Sequence, residues 1–347
     1  MSRAELESDV LDGFWQEQPS LSPRWFYDET GSRLFDEITR LPEYYPTRAE
    51  REILEEHADD LARLPVTALH ELGAGMSTKT RVLLDALSAD GRSLHYEPLD
   101  VSEAVLLESA EALRREYPDL TVEPAIANFH DDLPPLAGEP GHRLLLFLGG
   151  TIGNFGEEER DGFVSRMRAA LAPGDHFLLG ADLVKEPGRL VAAYDDAAGV
   201  TAEFNRNVLR VVADTLGTRG LDPEDFAHEA RWDDAGSRIE MHLRALRDVE
   251  VEIPSLGRVW QLAKGESLRT EISRKFVLED LSREVSGHGF EPVVAWTDRA
   301  GDYSLGLYRA VSPRATTRHA PAPSPSTPAS SHPTTPASRP HPPAPRQ

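Results

Sequence analysis

From Val66 to Val184 the chain changes its hydrophobic period again and again. Five stretches read as strands: "VTALHELGAG", "SLHYEPLDVS", "LTVEPAIANF", "HRLLLFLGGTIGNF" and "GDHFLLGADLV". Three amphipathic stretches between them read as helices: "KTRVLLDALSAD", "EAVLLESAEALRREYP" and "EERDGFVSRMRAAL". In the first helix Val82, Leu83, Leu84 and Leu87 face inward. Strands that alternate with helices form a parallel sheet, because a parallel neighbour is reached only through a long crossover. The unbroken apolar run "LLLFLG" fits a central strand covered on both faces.

After Lys185 the alternation stops. "EPGRLVAAYDDAAGVTAEFNRNVLRVVADTL" reads as helical, and "RIEMHLRAL" and "LRTEISRKF" as strands of a mostly antiparallel unit. A helix, "VLEDLSREVSGHG", then precedes the strands "FEPVVAWTD" and "DYSLGLYRAV". Only "RAG" separates those two strands, too little for a crossover, so they pair antiparallel. A Rossmann-like α/β sheet closed by a reversed C-terminal strand resembles the class I methyltransferases. The expected organisation is a cofactor-binding domain over residues 51–185 and 276–311. A second, α+β, substrate-binding domain takes 1–50 and 186–275. Residues 312–347 hold 11 of the 27 prolines and almost no large apolar residue. Such a tail cannot bury enough surface to offset its chain entropy and is expected to be disordered.

Composition narrows the partners. The 347 residues carry a formal charge of −22, and four arginines in the acid-free tail leave the rest more acidic still. Such a body repels nucleic acid and anionic membrane. There is no cysteine, which excludes disulfides and thiolate chemistry, and the 12 histidines show no metal-ligand spacing. The acidic start is unlike a targeting peptide, and no apolar run is long enough to span a bilayer. The expectation is a cytoplasmic monomer that acts on a small molecule without a metal.

The turn "ELGAGMSTKT" carries the chemistry. Gly73 and Gly75 allow a tight turn and close approach to a ligand, but Thr78 stands where a dinucleotide fingerprint has its third glycine. Lys79 and Arg81 fall in the first helical turn, where a cation is disfavoured by the helix dipole. A lysine is useful there if it meets an anion in the same site. S-adenosylmethionine (SAM) brings a carboxylate to that position, whereas NAD brings a pyrophosphate and usually needs the third glycine. Asp100, closing the second strand, suits ribose hydroxyls. Asn128 is placed to accept from the adenine amine, and Phe129 to cover the ring. SAM is therefore the expected cofactor; an NAD-dependent oxidoreductase on the same sheet is the alternative.

Five longer stretches then carry a resemblance: "WFYDETGSRLFDEITRLPEYYPTRAE", "ELGAGMSTKTRVLLDAL", "FLGGTIGNF", "GADLVKEPGRLVAAYDDAAGVTAEFNRNVL" and "RIEMHLRA". Over residues 20 to 310 the chain resembles the SAM-dependent histidine Nα-methyltransferases of ergothioneine biosynthesis. The resemblance implies three methylations of the α-amino nitrogen of L-histidine, giving hercynine, inside a two-domain clamp. It implies that Tyr44 contacts the imidazole, that Asn154 holds the backbone groups of the amino acid, and that Tyr194, with Thr201, binds the carboxylate. Glu271 and Ser273 would grip the imidazole, with Met241 beside it. Tyr27, Gly73, Lys79, Asp100, Asn128, Phe129 and Gly149 would serve SAM. Tyr45 reads as a packing ring. Two positions depart from the family pattern: Asn128 replaces an aspartate and Gly150 a serine. A relative acting on another amino acid, such as tryptophan, is the further alternative, and Glu271 argues against it, since an indole has less use for a carboxylate.

Truncation after Ser312 should leave activity and melting temperature nearly unchanged, because the tail lacks the apolar content to pack. Activity and a thermal melt of the truncated chain check this; a large loss of activity would give the tail a part in the site.

Overall fold

The structure, a computed structural model, describes residues 2–89, 91–128 and 133–312. Phe129 and the Pro-rich tail, about which the sequence made statements, lie outside these.

Three helices come first. α1 (Arg3–Gly13) starts from a capping box in which Ser2 and Glu5 satisfy each other's backbone N–H. α2 (Glu29–Ile38) is capped by Asp28, and α3 (Pro46–Ala62) has proline in its first turn, where the missing N–H costs nothing. The alternating region follows with β1 (Ala68–Leu72), α4 (Thr80–Ser88), β2 (Leu94–Asp100) and α5 (Glu103–Glu116). The stretch read as one strand over "LTVEPAIANF" is two short strands, β3 (Leu120–Val122) and β4 (Ala125–Ile126). Glu123 and Pro124 separate them, and Pro124 has no N–H to give to a ladder. Both still pair with β2 in parallel. β5 (Arg143–Phe147), α6 (Glu157–Ala170) and β6 (His176–Asp182) complete the run.

The region after Lys185 holds α7 (Pro187–Tyr194), α8 (Val200–Leu216), β7 (Phe226–Asp233), β8 (Arg238–Ala245), β9 (Val249–Ile253), β10 (Arg258–Leu262) and β11 (Ser267–Arg274). The sequence reads as one helix from Pro187 to Leu216, but the structure breaks it at Asp195–Gly199. The Asp196 carboxylate accepts from the N–H groups of Val200 and Thr201 at 3.0 and 2.7 Å, and so caps a new helix instead of continuing the old one. β7, β8 and β11 form an antiparallel sheet in the order β11-β8-β7, and β9 and β10 form a separate hairpin. α9 (Leu278–Gly287), β12 (Phe290–Thr297) and β13 (Tyr303–Ala310) end the described fold.

The main sheet runs β12-β13-β6-β5-β1-β2-β3, with β4 also on β2. β13 lies antiparallel to both β6 and β12, and the remaining pairs are parallel. Leu144, Leu145 and Leu146 of β5 are completely buried, as their apolar run requires of a central strand. One apolar core joins residues of the first helices (Leu6, Val10, Phe14, Trp25, Phe26) to α8 and to β8 through β11. Two others line the faces of the main sheet. Leu21 N–H donates to the Arg269 carbonyl at 2.9 Å, and the Trp260 indole to the Phe14 carbonyl at 2.9 Å, so the N-terminal segment is stitched to β10 and β11. Among the described residues no helix is long and apolar enough to cross a membrane.

A close approach joins the main sheet to β11. The 3₁₀ turn Thr151–Asn154, after β5, packs so tightly on β11 that a Cβ at Gly153 would lie 2.6 Å from the Arg274 carbonyl oxygen. Gly153→Ala must push these two backbones apart. The expected loss is about 1–3 kcal/mol of stability, the usual cost of overpacking, read from a urea melt against the parent chain.

Candidate active site

β1 leaves the sheet into a turn whose Gly73 and Gly75 have φ of 66° and 49°, in the left-handed region where a Cβ is unfavourable. Gly75 N–H donates to Asp100 Oδ2 at 2.9 Å, and the other Asp100 oxygen accepts from Ser102 N–H at 2.9 Å. The acid at the end of β2 is thereby fixed against the turn. Beneath it Glu71 is buried and accepts from the Thr80 hydroxyl at 2.6 Å and from the Tyr96 hydroxyl. Burial pushes the Glu71 carboxyl up to about 7, against the pull of those two hydrogen bonds.

Lys79 occupies the N-cap position of α4. The anion it meets in the structure is one the sequence reading missed. Its ammonium pairs with Glu50 of α3, a carboxylate with no exposed surface. The second oxygen of Glu50 accepts from Gly149 N–H and from the Tyr303 hydroxyl, each at 2.8 Å. Glu50 thus gathers the glycine turn side, the end of β5 and β13 around one charge. Gly150, where the family pattern has serine, has φ of 72°, a conformation that glycine adopts without strain.

Across the cavity stand the aromatic groups. Tyr44 is buried and meets Tyr194 edge-on, with ring centroids 6.1 Å apart. The Tyr27 ring stands edge-on to Phe35 and Phe204 at 5.6 and 5.8 Å. The Tyr194 hydroxyl is 2.7 Å from Ser273 Oγ, and the buried Lys275 ammonium donates to both oxygens at 2.9 Å. Glu271 is half-buried on the same strand, and its carboxylate makes no hydrogen bond to any described residue. Burial raises its carboxyl to about 7, although Lys275 pulls it down. β11 is bulged between Arg269 and Glu271, and Met241 of β8 lies opposite Glu271. Ser273, two residues beyond Glu271 on the same strand, is hydrogen-bonded to Tyr194. The Asn154 side-chain amide also has no hydrogen-bond partner among the described residues.

All the candidate residues except Phe129 line one cavity of about 1110 Å³. Tyr27, Tyr44, Gly73, Gly75, Lys79, Asp100, Asn128 and Gly149 are there with Asn154, Tyr194, Thr201, Met241, Glu271 and Ser273. The volume is at the upper end of what small-molecule sites use, and suits two ligands side by side. The residues present fit SAM: two left-handed glycines, an acid fixed beside them, and a lysine for a carboxylate. Tyr45, read from the sequence as a packing ring, does pack in the apolar core, and its hydroxyl also donates to Asp182 at the end of β6, at 2.7–2.8 Å from its two oxygens. No sequence signal marked Glu50, Asp182 or Lys275, because each is defined by a partner far along the chain.

A parallel sheet with this strand order, an antiparallel β13 between β6 and β12, and a ligand turn after β1 is the fold of class I SAM-dependent methyltransferases. Residues 6–310 match the family described as histidine-specific methyltransferase, SAM-dependent. The chain is 44% identical over 303 residues to histidine N-alpha-methyltransferase of Mycobacterium tuberculosis, covering 87% of this chain and 94% of that one. It is 45% identical to the protein of the same name from Mycolicibacterium smegmatis, with the same coverage. Ergothioneine biosynthesis protein 1 of Neurospora crassa is 31% identical over 81% of this chain and 32% of its own length. The chain belongs to the histidine-specific, SAM-dependent methyltransferase family, and its cofactor is SAM.

Lys79→Ala should weaken SAM by about 10- to 150-fold, the range for loss of a charge-assisted hydrogen bond, and weaken the carboxylate-free 5'-methylthioadenosine much less. Glu50→Gln, which releases Lys79 from its partner, should shift the same difference by a smaller factor. Calorimetry with both ligands measures it. Equal losses for the two ligands would remove the carboxylate contact.

Proposed function

We propose that this chain transfers three methyl groups in succession from SAM to the α-amino nitrogen of L-histidine, forming hercynine, the first step of ergothioneine biosynthesis. The observation that carries the reading is Glu271: a half-buried carboxylate with no hydrogen-bond partner among the described residues, in the same cavity as the glycine turn. A carboxylate taken partly out of water and facing a cavity is placed to accept from a ligand N–H. The names of the relatives supply the substrate that fits, an amino acid with an N–H in its ring.

SAM supplies a methyl group already activated on a sulfonium, so the chain needs no nucleophile of its own. The work left to its residues is placement. In this reading Gly73, Gly75, Asp100, Asn128 and Lys79 hold the cofactor, with Tyr27 and Gly149 beside it. Asn154 and Tyr194 hold the amino and carboxylate groups of histidine, and Thr201 adds to them. Glu271 accepts from the imidazole N–H, and Tyr44 and Met241 close around the ring. Ser273 reaches substrate from its hydrogen bond with Tyr194. Residues 1–50 and 186–275 form the substrate-binding domain of the clamp, and 51–185 with 276–311 the SAM-binding one. The charge of −22 and the lack of cysteine support a cytoplasmic enzyme.

Incubation with SAM and each free amino acid, read by mass, should give trimethylated product from L-histidine alone. Glu271→Ala should lower kcat/KM for histidine about 10- to 150-fold, from loss of a hydrogen bond to a charged group, and leave SAM affinity nearly unchanged. It should also narrow the gap between histidine and tryptophan. Because the Glu271 carboxyl titrates near 7, its charged acceptor form grows as pH rises through that value, so KM for histidine should fall from pH 6 to pH 8. Glu271→Gln should flatten that step. A variant that methylates histidine as well as the parent would make Glu271 a bystander.

A further inference from the structure

The lysine behind the Tyr194–Ser273 pair has no role in the reading above. Lys275 follows β11 and is 1% exposed. Its ammonium has three protons, and three acceptors surround it: Asp182 Oδ2 at 2.8 Å, Tyr194 OH at 2.9 Å and Ser273 Oγ at 2.9 Å. With all three N–H bonds spent, the hydroxyl protons have few places to go. One O–H bridges Tyr194 and Ser273 across 2.7 Å. The other can point at neither Lys275, which only donates, nor the oxygen already serving as donor. It is left to face the cavity that both residues line.

The charge around this pair points the same way. Asp182 is shared by two ammonium groups, Lys275 at 2.8 Å and Lys185 at 2.5 Å, and it also accepts from the Tyr45 hydroxyl. One carboxylate between two lysines leaves a single positive charge behind the hydroxyl pair. Glu271, the carboxylate nearest on the same strand, is assigned to the imidazole.

We propose that Lys275 is a positioning residue for the substrate, one that orients the Tyr194–Ser273 hydroxyls so that they present an O–H donor, backed by positive charge, to the α-carboxylate of the amino acid. This rests on the reading that histidine binds with its carboxylate at Tyr194. Lys275 touches no substrate itself; it acts through the two hydroxyls. It also ties the strand that carries Ser273 to the end of β6, so the donor keeps its place relative to the methyl-bearing half of the cavity.

The test compares L-histidine with histamine, which keeps the ring and amine but lacks the carboxylate, by calorimetry in the presence of S-adenosylhomocysteine. The parent should prefer L-histidine. Lys275→Met should weaken L-histidine by on the order of tenfold or more and leave histamine and S-adenosylhomocysteine nearly unchanged. Tyr194→Phe should do the same, and the double variant should lose no more than the worse single one, because the lysine acts through that hydroxyl. Additive losses, or equal losses for L-histidine and histamine, would overturn the proposal. Should Lys275→Met not fold, Tyr194→Phe and Ser273→Ala together still decide, since L-histidine binding unaltered in both leaves Lys275 nothing to act through. A parent that does not bind L-histidine overturns the substrate reading along with it; a parent that binds, with a Lys275→Met variant that binds equally well, overturns only the role of Lys275.

Discussion

Much of this molecule hangs on Asp182. It ends β6, is 4% exposed, and draws Lys275, Lys185 and Tyr45 to its two oxygens. Burial alone would raise its carboxyl. Lys275 and Lys185 more than offset that and hold it below the usual aspartate value. It therefore stays charged. A charge this deep is tolerable only with its partners in place: removing one member of a buried pair typically costs about 3–5 kcal/mol, because the other is left uncompensated. The partners come from α3's approach, from the segment after β6 and from the end of β11. One carboxylate thus fixes three separate stretches of chain at the mouth of the parallel sheet, the place where sheets of this type bind ligands.

Glu50 plays the same part on the cofactor side. It is fully buried, aims Lys79, and accepts from Gly149 and Tyr303. Its fit is close: a Cβ at Gly180 would lie 2.3 Å from Glu50 Oε1. Each half of the cavity is therefore organised by one buried acid that orients a lysine. In the roles proposed above, the lysine in turn sets what the cavity offers, a cation on one side and a directed hydroxyl pair on the other. Such an arrangement places polar groups without letting them collapse onto each other when no ligand is present, which is what preorganisation requires.

The sheet was legible in the sequence because its signal is local. A strand buried on both faces must read as a short apolar run, and a helix on its face must read with a period near four. The glycine turn was legible for the same reason: Gly73 and Gly75 need their backbone angles whatever else the chain does. The break between α7 and α8 was not, since Asp196 looks like any helix-surface acid until its oxygens are seen on the next turn's N–H groups. The supporting charges were harder still. Tyr45 and Asp182 are 137 residues apart, and Glu50 and Gly149 are 99 apart. Nothing about Tyr45 alone separates a ring that packs from a hydroxyl that donates to a buried acid. Pairings of that kind exist only once the fold has brought the partners together, so a pattern along the chain cannot hold them.

Glu271 differs from the other two acids in a way that bears on selectivity. Asp182 and Glu50 are buried with their partners; Glu271 is half-buried with no hydrogen-bond partner among the described residues, and desolvation raises its carboxyl to about 7. A ligand that closes over it without an N–H at that point would complete its burial and leave it unpaired. A ligand that does offer one gains its own hydrogen bond and leaves no such group unpaired. In the proposed reading, ligands without a matching donor would be rejected more strongly than any apolar misfit would give, because a missing methylene in an apolar pocket changes binding by only about 1–3 kcal/mol whereas a polar group left unpaired on burial discriminates by about 10⁴–10⁵. The partnered acids hold the site in shape. In the proposed reading, the acid without a hydrogen-bond partner makes the choice of ligand.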